Sequence, residues 1–162
     1  MRGAYAGRVY EPDERDRVVA VRGLPRCDAG APSPVVAATE QGLQLAYICR
    51  IGDEQQEAIA VVTFAGALSH TFGMPNDESL HGHPLFERGL EFYGAFQVEN
   101  SSWIRALERI NSVHPMHRQG FRDRLTHYIL TFHDSTFECV ASGFSVEVVH
   151  EDALALTVRV AV

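Results

Sequence analysis

The residues best equipped for chemistry fall into three groups. The first lies in the stretch from His127 to Ser142, HYILTFHDSTFECVAS, where His133, Asp134 and Glu138 stand close together. An imidazole and a carboxylate within one side-chain reach form a usable general acid–base pair. Asp134 could orient His133 or close an Asx-turn, and Thr131 offers a hydroxyl beside Glu138. The second group is His81-Gly82-His83-Pro84-Leu85-Phe86-Glu87. Neutral imidazoles and a carboxylate suit Fe, Mn, Ni or Zn, so His81, His83 and Glu87 are the candidate ligands of a divalent metal, with His133 and Glu138 able to complete the set. The third is a local excess of cations in an acidic chain: Arg105, Arg109, Arg118, Arg122 and Arg124 against Glu108 and Asp123. Such a patch suits a carboxylate or phosphate. It makes Arg118 and Arg122 substrate-binding candidates, together with Tyr93 and Thr131.

The H-x-H spacing with Glu87 three residues on, followed by Gly94, resembles the first metal motif of the cupins. That family consists of small β-barrels in which two histidines and a glutamate hold a divalent metal, with a further histidine supplied by a second motif. The resemblance implies a metal on His81, His83 and Glu87, and a metal-dependent enzyme. It covers only His81 to Gly94. The second motif, near P-x-G-x-x-H, has no counterpart: His117 follows Pro115 without the glycine.

These groups need elements to hold them. The stretch 127–142 reads as two strands around a turn at Asp134 and Ser135. That turn pairs Phe132 with Phe137, Thr131 with Glu138 and Leu130 with Cys139. Strand side chains alternate between faces. One face therefore carries Tyr128, Leu130, Phe132, Phe137, Cys139 and Ala141, all fit for a core. The other carries His127, Ile129, Thr131, His133, Thr136, Glu138, Val140 and Ser142. That face suits either the wall of a partly covered pocket or a solvated face with two aliphatic residues left out. The irregular stretches 69–88 and 112–124 are the segments expected to cross it.

Elsewhere, Leu43 to Ile51 and Glu57 to Ala65 read as a hairpin around the turn GDEQQ. Its second strand is apolar on both faces and belongs near a sheet centre. Arg17–Arg22, Pro34–Thr39, Glu91–Glu99, Phe144–Val149 and Leu154–Val160 are further strand candidates. Asn100 or Ser101 caps a helix to about residue 111, with Trp103, Ile104, Leu107 and Ile110 as its apolar stripe. About eight mostly antiparallel strands and one packed helix make a mainly β fold, a small barrel or sandwich, with α+β as the alternative. Residues 1–33 read as an N-terminal arm and loop with one short strand, and 34–162 as one β-rich domain.

The chain has 162 residues, 46% hydrophobic and 22% charged, with a formal charge of −7. The acidity disfavours nucleic acid and anionic membranes as partners. Three cysteines without a CxxC read as reduced thiols of a cytoplasmic protein, and no signal-like apolar segment opens the chain. The expectation is a small metal-dependent enzyme acting on a small anionic metabolite. The alternative is a non-catalytic module binding a ligand or protein, with a homodimer explaining Ile129 and Val140.

Overall fold

The protein is described by a computed structural model covering residues 9–150. Among these residues nine strands form two antiparallel sheets, with one α-helix and no closed barrel, so the fold is mainly β as the patterning predicts. The first sheet runs in the order β1 (Arg17–Ala20), β6 (Ala95–Glu99), β7 (Thr126–Thr131), β8 (Thr136–Ala141), β5 (Ser69–Gly73). The second runs β2 (Val35–Ala38), β3 (Leu43–Ile51), β4 (Gln56–Ala65), β9 (Gly143–Val149). The doubly apolar strand β4 lies inside its sheet, between β3 and β9, as expected of a strand covered on both faces. The strand expected at Leu154–Val160 lies outside the described residues.

Alternation builds the main core. Leu43, Leu45, Tyr47 and Cys49 of β3 and Ala58, Ala60, Val62 and Phe64 of β4 face Tyr128, Leu130, Phe137, Cys139 and Ala141 of the other sheet. Each fully buried aromatic or aliphatic side chain here contributes about 1.5–3 kcal/mol of transfer free energy, which makes this interface the main source of stability.

A second core lies on the opposite face of the five-stranded sheet. Val18, Val98, Ile129 and Val140 project from the strands. Helix α1 (Ser102–Asn111) lays Trp103 and Ile104 over them, and Leu80, Leu85 and Leu90 come from the irregular segment after β5. Ile129 and Val140 are thus fully buried within one chain and need no second copy to cover them. The apolar stripe of α1 ends at Leu107, since Ile110 is 70% exposed.

Four local expectations change. The β7–β8 hairpin closes at Thr131 and Thr136, and Ile129 faces Glu138. Phe132 joins a four-residue turn, its amide donating to the Ser135 carbonyl (2.9 Å), while its ring stays in the core against Tyr47. The register is two residues from the predicted one, and an even slip preserves both faces. Ser69–Gly73, expected as loop, is the edge strand β5. Glu91 to Gly94, expected as strand, is irregular, and β6 begins at Ala95. Residues 9–16 are no loose arm. Tyr10 stacks on Trp103 (5.3 Å between centroids), and Asp16 accepts a hydrogen bond from the Ser102 amide (2.6 Å). Together with β1 they build residues 9–20 into the five-stranded sheet and its second core.

Candidate active site

The turn of the β7–β8 hairpin carries His133 past the edge of the covering layer. Its side chain is 42% exposed. The segment after β5 returns across this turn: the Asp77 amide donates to the His133 carbonyl (2.9 Å), and Thr136 Oγ1 donates to the Pro75 carbonyl (2.8 Å). Asn76 caps the short 3-10 turn Asp77–Gly82 by accepting from the Ser79 amide, which fixes Asp77 at the start of that turn. The carboxylate of Asp77 then lies 2.7 Å from His133 Nδ1.

Tyr93 completes the cluster. Its hydroxyl donates to Asp77 Oδ2 and lies 3.4 Å from His133 Nδ1. Its backbone is left-handed (φ 52°), a conformation that costs a non-glycine residue about 1–2 kcal/mol. Thr131 holds the segment there. Its hydroxyl donates to the Glu91 carbonyl (2.9 Å) and accepts from the Gly94 amide (3.1 Å), and its own amide donates to the Gly94 carbonyl (3.0 Å). A Cβ on Gly94 would come within 2.5 Å of the Phe96 ring, so glycine suits this close approach.

The hydrogen bonding assigns the tautomer. The Asp77 carboxylate can only accept, so His133 presents Nδ1–H to it and Nε2 carries the free lone pair. Asp77 is held below the usual carboxylate range by the Tyr93 hydroxyl, and the His133 bond adds to this against the opposing effect of desolvation. Tyr93 is correspondingly pushed up, first by its bond to Asp77. The result is an imidazole oriented through one nitrogen by a carboxylate and open at the other, the arrangement of a general base. Tyr93, whose hydroxyl reaches Asp77, also lines a cleft of about 320 Å³ with Phe92, Phe132, Tyr47 and Cys27; its charged groups are Arg26 and Glu91, and neither His133 nor Asp77 is part of its wall.

Glu138 stands elsewhere, buried under α1. Its Oε1 lies 3.0 Å from His83 Nε2, and its Oε2 lies 2.9 Å from His127 Nε2 and 2.5 Å from the Tyr10 hydroxyl. The Leu85 amide donates to His83 Nδ1 (3.1 Å), so the ring proton of His83 sits on Nε2 and points at the carboxylate. Ser101 Oγ accepts from the Ile104 amide as the helix cap and lies 2.9 Å from His127 Nδ1. Its hydroxyl proton is therefore free to donate to His127, which leaves Nε2–H for Glu138. Burial pushes Glu138 up, but the bonds from His127 and His83 outweigh it and hold the carboxylate well below its ordinary range. Burial and the neighbouring Glu138 push Tyr10 up. Every member is satisfied, which is the condition for a buried polar network to stabilise.

The structure thus divides the sequence candidates. It brings His133, Tyr93 and Thr131 together and moves Glu138 to a separate network. Asp134 is exposed in the turn, and Asp77 is the carboxylate that orients His133. His81, His83 and Glu87 do not fit a metal as a set. His81 is exposed against Phe86 (4.6 Å between centroids), Glu87 is exposed, and both nitrogens of His83 already have protein partners. Among the described residues no group of three or more His, Cys, Asp or Glu side chains is arranged to hold a metal ion. Arg118 is exposed on the loop after α1. Arg122 lines a different cleft, of about 540 Å³, with Arg15 and Arg105, both of which already bind Asp13 (2.7 and 2.6 Å).

Sequence reasoning missed Asp77 and Tyr10. The run Asn76-Asp77-Glu78-Ser79 does show a cap and an acidic first turn. Nothing local sets it against His133, 56 residues away. No helix among the described residues is long and apolar enough to cross a membrane. Comparison with known protein families, with curated proteins and with solved structures finds no match, so the reading of the site rests on its own geometry.

Proposed function

We propose that the protein is a small-molecule enzyme in which His133 acts as a general base on a substrate held in the aromatic cleft that Tyr93 lines. The observation that carries this reading is the 2.7 Å contact between Asp77 and His133 Nδ1, on a side chain 42% exposed. Asp77 orients the ring and stabilises the imidazolium formed when Nε2 takes a proton. The Tyr93 hydroxyl, bound to the same carboxylate, limits where Asp77 can move. The cleft walls favour a small, partly planar molecule, and Arg26 offers a carboxylate-bearing one its counter-charge. His81, His83 and Glu87 do not converge on one point.

The test uses proton exchange, which any general base on a carbon acid or on water must support. The full chain is incubated in D₂O with a panel of small ketones, keto acids and esters, and deuterium uptake and hydrolysis are read by mass spectrometry. Turnover on one class, falling about 10²-fold or more in His133→Asn, is the expected result. Turnover indifferent to His133→Asn sinks the assignment, and so does a panel wholly inert with wild type.

A second reading, a protein-binding module that pairs with a second copy, is favoured by β5. Among the described residues this strand is the edge of its sheet, and Leu68, Phe72 and Met74, in it or flanking it, are 48%, 45% and 86% exposed. Unpaired apolar edges invite strand addition.

A further inference from the structure

We infer that Cys27 and Cys49 form a redox pair, able to close as an intramolecular disulfide across the wall of the aromatic cleft. The pair goes beyond the acid–base reading and does not depend on it.

The backbone sets the two cysteines directly opposite each other as an isolated antiparallel bridge. The Asp28 amide donates to the Ile48 carbonyl (2.9 Å) and the Arg50 amide to the Arg26 carbonyl (3.3 Å). These bonds flank the cysteines instead of joining them, which defines the narrow, non-hydrogen-bonded position of an antiparallel ladder. Facing Cα atoms there lie about 4.5 Å apart with side chains on one face. A disulfide spans Cα separations of about 4.4–6.8 Å, so the backbone has little distance to cover. Arg50 reinforces the register by binding Asp28 (2.5 Å), the neighbour of Cys27. Both side chains belong to the main core, and all three cysteines of the chain are free thiols.

Access is unequal in a useful way. Cys27 lines the cleft beside Tyr93 and Phe132, whereas Cys49 is fully buried behind it. The oxidant is a low-molecular-weight disulfide. The thiolate of Cys27 attacks one sulfur of that disulfide and expels the other as a thiolate, which leaves a mixed disulfide on Cys27. Cys49 then attacks Cys27 Sγ, its proton passing to the second departing thiolate. Two protein thiols are oxidised to one disulfide, and one small disulfide is reduced to two small thiols. Burial pushes the Cys27 thiol up to about 11. Closure is therefore slow near neutrality and accelerates about tenfold per pH unit below that value. The bond would fix the Leu24–Cys27 wall of the cleft to β3.

The experiment treats the native full chain with glutathione disulfide at pH 8.5, denatures it in iodoacetamide, and maps the peptides. A Cys27–Cys49 cross-link with Cys139 alkylated is the expected product. A melting temperature about 5 °C or more above that of the reduced chain should accompany it, and no such rise should follow oxidation of Cys49→Ala. Three alkylated cysteines after exhaustive oxidation overturn the inference. So does a glutathione adduct on Cys27 that never resolves, because the thiols would then not be in register. A cross-link through Cys139 overturns it as well, since that residue lies in β8, opposite Tyr128 and His70.

Discussion

At the scale of single residues, His133 works through Asp77, and the two are separable. Replacing Asp77 with Asn keeps the size and leaves the fold nearly untouched. It removes the charge that stabilises the imidazolium and lets an amide N–H point at Nδ1, which favours the wrong tautomer. Asp77→Asn is expected to lower turnover about 10²-fold while moving the melting temperature by no more than about 2 °C. Imidazole ¹⁵N spectra supply a readout that a structural role would not move: Nδ1–H in wild type, a mixture or Nε2–H in the variant. Full activity in Asp77→Asn with an unchanged tautomer would show that His133 needs no orienting carboxylate. Tyr93 belongs to the same unit, since it holds a left-handed backbone at the rim of the cleft and bonds the carboxylate. Strain kept at such a place is consistent with a site.

At the scale of elements, what could be read from the sequence was what period and caps determine. Helix α1 starts after Ser101 because that side chain can accept from Ile104, and the hairpin of β3 and β4 follows from the alternation of β3, the polar turn and the apolar run of β4. The faces of β7 and β8 were legible because the period is two, whereas the register was not. It depended on Phe132 being taken into the turn while its ring stayed in the core, a tertiary matter. β5 was hidden because Ser-His-Thr-Phe-Gly is a short edge strand whose one large apolar side chain, Phe72, is exposed, so it shows no buried alternation. The sequence leaves the His–Thr–Glu face open between a covered wall and a solvated face; it is covered, and not by the 112–124 loop. Helix α1 and the segment after β5 cover it, with Tyr10 from upstream of β1. That exposed edge also carries a prediction. Should β5 pair with its equivalent in a second chain, sedimentation equilibrium gives twice the chain mass at micromolar concentration, and Met74→Glu returns the single-chain mass with an unchanged melting temperature. A single-chain mass for the wild type removes the edge as a dimer contact.

At the scale of the whole molecule, Glu138 joins the layers. Its two oxygens gather Tyr10 from upstream of β1, His127 from β7, His83 from the segment after β5 and, through His127, the cap of α1. The second core is held to the sheet by this one carboxylate as well as by apolar contact. A neutral amide cannot replace it, because a glutamine side chain there would turn N–H groups toward imidazole and phenol donors already pointing inward. Glu138→Gln is expected to cost about 2–3 kcal/mol at pH 7. The pH dependence separates charge from shape. Since the folded carboxylate is held below its ordinary range, its contribution is complete above the unfolded value near about 4.3. It drains away as the pH falls from there toward the depressed folded value. Urea titrations of both chains between pH 7 and pH 3 should therefore give a stability gap that is constant down to about pH 4.5 and then narrows. Titrating groups that do not touch Glu138 are shared by the two chains and cancel in the difference. A gap that stays constant to pH 3 would mean that the carboxylate gains nothing from its charge in the fold, and the second core would then be held to the five-stranded sheet by packing alone.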